Sequence, residues 1–489
     1  MRAQRRRPPS GIETVSDPTA RAPRTGRLAR SLVVGKAAVQ VGAQVGAGVL
    51  RRQLRPAGPD PQRARAEQEA QQAQEAEVGR LLFAAMNQLR GTALKLAQVL
   101  SMDPGFLPEG VRRQLARATH QATPLNRALV GKVFRQAFGQ EPQALFARFD
   151  PVACAAASLG QVHRAWLADG TALAVKVQYP GMAASIDSDL AMLRAAMQRI
   201  GLERLGLPDA VLVDRALDAV CRQLAEEVDY RHEAAQQAAF AERLAAAGGF
   251  DCAGPGGLQV PGLRPEFSGR TVLTQHFVEG GHIDAWLQAG PPQAIRDAQT
   301  QVLFDWFTGC AFGAPEATGG RRIHADLHPG NFLFEPGGRV TLLDFGCTCE
   351  LGTEFTAALA RSWSLWAEAG PAAAPQLLAV YRRMGLAAAD ADLAAFEQQV
   401  LPTLAPVLDW ATQVFRADRF DFAGAQGFAL PLGPQRRAPV ARQMGDLPPQ
   451  MLSLDRAWLG LMHLLTRLGG RIDTRAARAR LRRAAQEDD

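Results

Sequence analysis

Two short acidic motifs in the second half of the chain place the strongest constraint on its fold. One is the run His324–Asn331 (HADLHPGN), and the other is Asp344-Phe345-Gly346, the DFG motif. Asp326 and Asn331 have the spacing of the catalytic loop of protein kinases, where a carboxylate lies near the hydroxyl acceptor and an amide oxygen binds metal. Asp344 follows a predicted hairpin that returns the chain to the same place. We therefore predict a phosphoryl-transfer site with Asp326 as catalytic carboxylate and with Asn331 and Asp344 as ligands of Mg²⁺.

Lys176 lies in an apolar strand, residues 174–177, that matches the V-A-I-K pattern of kinases. A lysine that faces inward from such a strand needs an opposite charge. Nucleotide phosphates and a glutamate on a helix would both meet that need, and the candidate glutamates are Glu226 and Glu227. The alternative is a lysine that faces outward from the strand and has no part in binding.

The segment that precedes this strand lacks the G-x-G-x-x-G pattern of a phosphate-covering loop. Alanines take the place of glycines, and because alanine disfavours a positive φ, we expect a stiffer loop. No Ala-Pro-Glu follows the DFG motif at the distance of a normal activation segment, so we expect the peptide-docking part of ordinary protein kinases to be absent. The loop residues that we assign to ATP binding are Ala155, Ala156, Ala157 and Ser158.

The positive charge of the chain is concentrated at its N-terminal end. The net charge is +7, but residues 1–65 contain 14 Lys or Arg and three acidic residues, which leaves a net charge of −4 for the rest. A nucleic-acid-binding protein would carry a basic face on the fold itself, so we do not expect nucleic acid as a partner. The distribution favours contact with an anionic membrane surface or an acidic partner near the N-terminus.

The cysteines and the hydropathy pattern bear on the compartment. Six cysteines are scattered without a disulfide framework, which indicates a reducing compartment. No window reaches the roughly 18 uncharged apolar residues of a membrane span, and the N-terminal residues do not resemble a secretory signal. We therefore expect a cytoplasmic protein, with peripheral contact at the inner face of a membrane as a variant of this prediction.

The order of the predicted elements indicates an α+β protein with two lobes. Strands are predicted at 160–167, 171–178, 258–263 and 271–277, and a hairpin at 331–334 and 339–343. Helices are predicted at 26–50, 64–100, 183–246, 282–312 and 354–483, the last with a proline-rich break. The predicted domains are a disordered basic segment (1–25), an N-terminal helical extension (26–150), a small mixed lobe (151–280) and a helical lobe with the catalytic loop (281–489).

These motifs resemble those of the UbiB family of atypical kinases, also called the ABC1 or aarF-domain family. The alanine segment matches the family's alanine-rich loop, and the run His324–Asn331 matches its HADxHPGN motif. Glu227 and Asp229 match its ExD motif. The resemblance extends over about residues 26–350 and implies a two-lobed protein-kinase-like fold.

A further signature of that family is similar to a segment of the N-terminal extension. Lys95 and Gln98 stand in the pattern KxGQ, with Ala97 where the family has glycine. Residues three positions apart share one face of a helix. In the family this helix lies over the active site and blocks protein substrates, so the resemblance implies that Lys95, Gln98 and Asp229 gate the site.

The resemblance also implies a chemistry and a setting. It implies binding of ATP and Mg²⁺, ATPase or unorthodox kinase activity, and a link to ubiquinone or other isoprenoid-lipid metabolism at a membrane. A small-molecule or lipid substrate and contact with biosynthetic enzymes would follow, and a homodimer is left open. In this interpretation Lys176 and Glu227 belong to the nucleotide site, and the adenine hinge is formed by Gln275, His276, Phe277 and Val278.

Two other functions compete with this interpretation. One is a nucleotide-binding scaffold that organises biosynthetic enzymes without turnover. The other is a small-molecule phosphotransferase of the antibiotic-kinase type, which also uses an H-x-D…N loop and a later aspartate. The intact set of Asp326, Asn331 and Asp344 argues against the scaffold, and the second motif at Lys95 argues against the phosphotransferase.

Overall fold

The structure is a computed structural model. It describes residues 125–157, 159–182, 186, 191, 224–248, 250, 254–317, 319–427 and 448–487. The helices predicted at 26–50 and 64–100 lie outside the described residues, and so do Lys95, Gln98 and Ser158.

The first lobe is built on a four-stranded antiparallel sheet. Its elements are α1 (Arg127–Phe138), α2 (Pro142–Leu145), β1 (Arg148–Ala157), β2 (Gly160–Trp166), β3 (Ala172–Gln178), α3 (Tyr230–Ala247) and β5 (Val272–His276). Strand β4 (Leu258–Gln259) precedes β5 in the chain but belongs to a different sheet. The sheet has the order β1-β2-β3-β5, and β2 and β3 agree with their predicted ranges to within one residue. Strand alternation places Val175 and Val177 in the core and Lys176 on the opposite face.

Helices α1 and α2 precede the sheet in sequence and pack against its apolar face. Phe134 of α1 is fully buried among the strand residues Val175 and Val177, and its ring meets Phe149 of β1 edge-on at 5.5 Å. The helix begins at an Asn126 cap, whose side chain accepts a hydrogen bond from the Leu129 amide at 3.0 Å. Residues 125–146 therefore contribute directly to the core of the first lobe.

A buried histidine in β2 connects strands β1 and β2 through its side chain. His163 is fully buried, and its Nδ1 lies 2.8 Å from the Asp150 carbonyl oxygen while its Nε2 lies 2.7 Å from the Gln161 amide nitrogen. A neutral ring that donates from Nδ1 and accepts at Nε2 satisfies both contacts. Burial lowers the pKa of His163, and the carbonyl and charge of Asp150 offset this only in part.

We expect this histidine to contribute to acid sensitivity. Because the folded-state pKa lies below the value of the unfolded chain, near 6.5, its stability contribution is present above about pH 6.5 and is lost as the pH falls through the folded pKa. The free energy of unfolding should therefore fall more steeply between pH 7 and pH 5 in the wild type than in His163→Gln, which keeps a donor and an acceptor but does not titrate. Urea unfolding across this range tests the difference, and equal slopes would contradict it.

The second lobe is mainly helical. Its elements are α4 (Ile283–Gln288), α5 (Gln293–Phe312), β6 (Arg321–His324), β7 (Phe332–Phe334), β8 (Val340–Leu342), β9 (Thr348–Leu351), α6 (Thr353–Ala369), α7 (Ala374–Arg383), α8 (Leu393–Ala395), α9 (Leu401–Thr412), β10 (Arg419–Asp421), α10 (Pro449–Leu468), β11 (Arg471–Asp473) and α11 (Arg475–Gln486). A π-helical turn at Phe396–Val400 joins α8 to α9. Aromatic rings fill the centre of the lobe, where Trp458 of α10 contacts Phe307 of α5 and Trp363 of α6.

Short strands in this lobe bring the run His324–Asn331 and the DFG motif together. β6 pairs with β9, and β7 pairs with β8, which also receives β4 as a parallel neighbour. The run His324–Asn331 connects β6 to β7, and the DFG motif connects β8 to β9. The two motifs therefore lie side by side at the ends of these strands. The predicted hairpin is confirmed, with strands one or two residues shorter than expected.

Two predictions for the helical lobe are wrong. The continuous helix predicted at 282–312 is broken between α4 and α5, because Gly290 adopts a φ of 69° and two prolines follow it. The all-helical range 354–483 contains a two-stranded sheet, in which β10 pairs with β11. These three-residue strands are too short for a sequence pattern to separate them from helix ends.

None of the helices in the described part of the chain combines the length and the apolar character needed to cross a bilayer.

Candidate active site

Lys176 is held between two carboxylates. Its Nζ donates to both carboxylate oxygens of Glu233 at 2.8 Å and to Oδ2 of Asp344 at 2.9 Å. The side chains of Lys176 and Glu233 are only 12% and 2% exposed. A bidentate contact that is so well shielded from solvent is a strong electrostatic interaction. The Nζ atom of Lys176 thereby connects the sheet, helix α3 and the DFG motif.

The predicted glutamate partners of Lys176 are wrong. Glu226 is exposed, and Glu227 lies before the start of α3, whereas Glu233 is one turn inside that helix. Glu233 points inward because the helix begins at Asp229, whose side chain accepts a hydrogen bond from the Arg231 amide. The register set by that cap, which the motif spacing did not reveal, decides which glutamate reaches the lysine.

The charges in this cluster shift one another's pKa values. Burial lowers the pKa of Lys176, but the carboxylates of Asp344 and Glu233 outweigh it and hold the pKa well above its usual value. Burial and the neighbouring Asp344 raise the pKa of Glu233 to about 7, against the opposing effect of Lys176. The Lys176 ammonium also lies 5.0 Å from the centre of the buried Tyr230 ring, a cation–π contact. Lys176 is therefore a permanently charged group at neutral pH.

Helix α3 connects this lysine to the predicted hinge. Gln237 lies four residues after Glu233 and so on the same helix face. Its amide nitrogen donates to the Gln275 side-chain oxygen at 2.8 Å and to the Pro261 carbonyl oxygen at 2.7 Å. One face of α3 is thus anchored to Lys176 through Glu233 and to the predicted hinge through Gln237.

The predicted hinge continues from the last strand of the sheet. Gln275 and His276 belong to β5, and the Phe277 amide donates to the Ala172 carbonyl oxygen at 3.0 Å, while Val278 follows in the connection to α4. The guanidinium of Arg164 lies 4.0 Å from the centre of the Phe277 ring. Arg164 also pairs with the exposed Glu279 at 3.2 Å. Arg164 therefore contacts the predicted hinge, and its position in β2 matches no motif that would indicate this contact from the sequence.

The alanine segment is a strand rather than a loop, which corrects the sequence prediction. Ala155, Ala156 and Ala157 pair with Val162, Gln161 and Gly160 as the end of β1. Alanine keeps the negative φ of a strand, so the pairing continues up to residue 157. The chain then turns into β2 at Gly160, where a Cβ would lie 2.3 Å from the Val177 carbonyl oxygen.

The predicted catalytic loop, His324–Asn331, is fixed at its start by His324. This ring is buried, its Nε2 donates to the Asp344 carbonyl oxygen, and its Nδ1 accepts from the Asp326 amide at 3.2 Å. Burial lowers the pKa of His324. The ring also packs against Phe345, which is fully buried. His324 therefore orients the loop and the DFG motif toward each other.

Asn331 and Asp344 lie on neighbouring backbone segments. The Leu343 amide donates to the Asn331 carbonyl oxygen at 2.9 Å, and the Asn331 side-chain nitrogen donates to the Asp326 carbonyl oxygen at 2.9 Å. With its nitrogen so engaged, Asn331 has its amide oxygen left for a cation. Amide and carboxylate oxygens are the ligands that Mg²⁺ prefers, so this donor set fits that ion. Within the described residues, no cluster of three or more His, Cys, Asp or Glu side chains offers another metal site.

The two residues of the predicted ExD motif occupy different environments. Glu227 is 6% exposed, and its Cγ lies 3.4 Å from the position that a Cβ on Gly346 would take. Asp229 caps helix α3 and pairs with the exposed Arg231 at 2.6 Å. Glu227 therefore lies beside the DFG motif, and Asp229 sets the start of the helix that carries Glu233.

Comparison with known proteins identifies a family and several relatives. Residues 117–372, just over half of the chain, match the model of the ABC1 atypical kinase-like domain. The chain is 35% identical over 270 residues to the mitochondrial atypical kinase COQ8B of Rattus norvegicus, covering 55% of this chain and 47% of that one. It is 30% identical over 273 residues to the mitochondrial atypical kinase COQ8 of Saccharomyces cerevisiae, covering 55% and 50%. The matched region thus spans about half the length of these relatives.

A solved structure shows the same fold. The structure of Rv3197 in complex with erythromycin, from Mycobacterium tuberculosis, superimposes with a TM-score of 0.53 at 24% identity and covers 86% of this chain and 97% of that one. With the domain match, this agreement confirms the predicted α+β, two-lobed, protein-kinase-like architecture. The chain is a member of the ABC1 atypical kinase-like family, as its motifs predicted.

Proposed function

We propose that this protein is an ATP-binding, Mg²⁺-dependent atypical kinase or ATPase that supports ubiquinone or related isoprenoid-lipid biosynthesis. The observation that carries the proposal is the contact of Lys176 with both Glu233 and Asp344. Phosphoryl transfer needs a cation on the nucleotide phosphates next to the metal ligands. Lys176 is a buried cation in direct contact with the DFG carboxylate, so a cation for the phosphates lies beside a proposed metal ligand.

Each side chain of the cluster has a distinct task in this proposal. Glu233 fixes the Lys176 ammonium so that it can bind nucleotide phosphates, and Gln237 keeps the hinge segment in place through Gln275. Asn331 and Asp344 would hold Mg²⁺, which supplies charge neutralisation on the phosphates. Asp326, 8% exposed, lies at the start of the loop and would accept the proton of the attacking hydroxyl or water.

The acceptor is proposed to be a small molecule or lipid rather than a protein. The support is the absence of an Ala-Pro-Glu segment from the sequence after the DFG motif. We further propose that the protein contacts an anionic membrane peripherally through residues 1–65, since these carry a large positive charge. The relatives' names, which include the word mitochondrial, are compatible with a role in such lipid metabolism.

The proposal predicts Mg²⁺-dependent ATP hydrolysis that responds to lipid. Purified wild-type protein is expected to release phosphate from ATP, and anionic liposomes or a quinone-precursor mimic should raise the rate, because the acceptor and the membrane contact would both be present. Neutral liposomes serve as the control. Absence of turnover under every condition, together with retained nucleotide binding, would favour a scaffold instead.

A further inference from the structure

Helix α10 lies directly against the predicted catalytic loop. It packs on β6 and β9, the strands that lead into that loop and out of the DFG motif. Residues 456, 460 and 463 of α10 are spaced four and three positions apart, so they share one helix face. The helix is outside residues 117–372, the part of the chain that matches the family domain.

Arg456 on this face connects the two motifs. Its Nε donates to the Ala325 carbonyl oxygen at 2.8 Å, and its Nη2 contacts the Cys347 sulfur. Ala325 immediately precedes Asp326, and Cys347 immediately follows the DFG motif. One guanidinium therefore joins the backbone beside the candidate catalytic carboxylate to the residue that follows the DFG motif.

The charge environment of Arg456 is acidic. The groups that hold its pKa above the usual value, despite burial, are Cys347, Asp326 and Glu227. Arg456 thus lies within electrostatic reach of both the catalytic-loop carboxylate and the glutamate of the ExD motif. The planar guanidinium group of arginine suits this position, because its fixed geometry lets it donate to two partners at once.

The close approach of α10 depends on its next residue on the same face. At Gly460 a Cβ would lie 2.9 Å from the Leu327 carbonyl oxygen, so any side chain would push the helix away from the loop. His463 follows, and its electrostatic neighbours include His328 of the loop. The helix therefore follows the loop from Ala325 to His328, and Arg456 is placed by that contact.

The sequence of the loop gives a reason for an arginine here. Protein kinases have arginine before the catalytic aspartate, in the H-R-D pattern, whereas this chain has Ala325 at that position. The loop itself thus contributes no cation next to Asp326. Arg456 of helix α10 instead brings a guanidinium to the backbone at Ala325.

We propose that Arg456 is a positioning residue for the catalytic loop, which holds Asp326 in place relative to the DFG motif. The inference rests on the proposed function, since its effect is read out in ATP turnover. The contacts of Arg456 described above are to the backbone beside Asp326 and to the residue after the DFG motif, so its loss should affect the chemical step more than nucleotide binding.

The test compares Arg456→Met and Arg456→Lys with the wild type. A displacement of about 1 Å in a reacting group can cost about 100-fold in rate, so we expect kcat of Arg456→Met to fall roughly 10- to 100-fold with KM and Kd for ATP nearly unchanged. Arg456→Lys keeps the charge and one donor and should recover part of kcat. Added guanidinium chloride at low, non-denaturing concentration should raise kcat of Arg456→Met only.

The matched control is Arg467→Met, on the same helix. Arg467 pairs with the exposed Asp284 at the far end of α10, so its loss should leave kcat unchanged. Equal kcat in Arg456→Met and wild type would overturn the inference. A second contradicting result would be a fall in kcat that parallels the loss of thermal stability in both Arg456 variants and is not rescued by guanidinium. A wild type that hydrolyses no ATP would instead overturn the proposed function, which keeps the two failures distinct.

Discussion

Replacing Lys176 with methionine is expected to destabilise the fold and to abolish tight ATP binding together. The substitution leaves Glu233 and Asp344 side by side without their shared cation, and Glu233 is 2% exposed. Removing one partner of a buried ion pair typically costs about 3–5 kcal/mol, because the remaining charge stays buried. The free energy of unfolding, measured by urea titration, should fall by about that amount.

A second substitution separates stability from binding. In Lys176→Met/Glu233→Gln the unpaired carboxylate is replaced by a neutral amide, so most of the lost stability should return. ATP binding should not return, because the cation for the phosphates is still absent. Arg471→Met, which removes a cation from an exposed pair with Asp421, is the control and should change stability by at most about 1 kcal/mol. Unchanged stability in Lys176→Met would show that the buried cluster is not an ion-pair network.

Replacing Asp326 with asparagine is expected to reduce ATP turnover without loss of nucleotide binding. General-base catalysis typically contributes about 10²- to 10⁴-fold, and asparagine cannot accept the proton. The side chain keeps its size and the backbone contacts of the loop, including the bond from the Asn331 side chain to the residue 326 carbonyl, are retained. Single-turnover kinetics and ATP titration should therefore show a lower kcat with a similar Kd.

The exposed Asp418 offers a matched control for this experiment. Asp418→Asn removes a carboxylate that pairs with Arg478 on the surface, far in sequence from both motifs. Its turnover should equal that of the wild type. Turnover by Asp326→Asn at the wild-type rate would remove Asp326 from the role of catalytic carboxylate and would leave the nucleotide site itself intact.

The parts of the site that the sequence predicts are those set by short-range spacing. Asp326 and Asn331 lie in one loop, and Asp344 follows across a hairpin of short strands, so their proximity is a local property of the chain. Lys176 is predictable for a similar reason, because strand alternation turns it away from the apolar core. The fold class follows from the same motifs, since they belong to a two-lobed architecture.

The parts that the sequence does not predict depend on register and on distant contacts. Glu233 is not predicted as the partner of Lys176, because the cap at Asp229 determines which helix face meets the sheet, and the two residues are 57 positions apart. Arg456 was missed because it reaches Ala325 across 131 residues of sequence, from a helix with no motif of its own. The sequence predicts a loop for the alanine segment because its motif stands where kinases have a glycine loop, whereas alanine itself is compatible with the strand that the structure shows.

The most direct test of the nucleotide site is calorimetric titration of the protein with ATP, with and without Mg²⁺. The wild type is expected to bind ATP more tightly when Mg²⁺ is present. Asp344→Asn loses a charged contact of about 1.5–3 kcal/mol, so its affinity for Mg²⁺–ATP should fall about 10- to 100-fold. Equal affinity of the two proteins for Mg²⁺–ATP, with the same Mg²⁺ dependence, would contradict the assignment of this cluster as a Mg²⁺–ATP site.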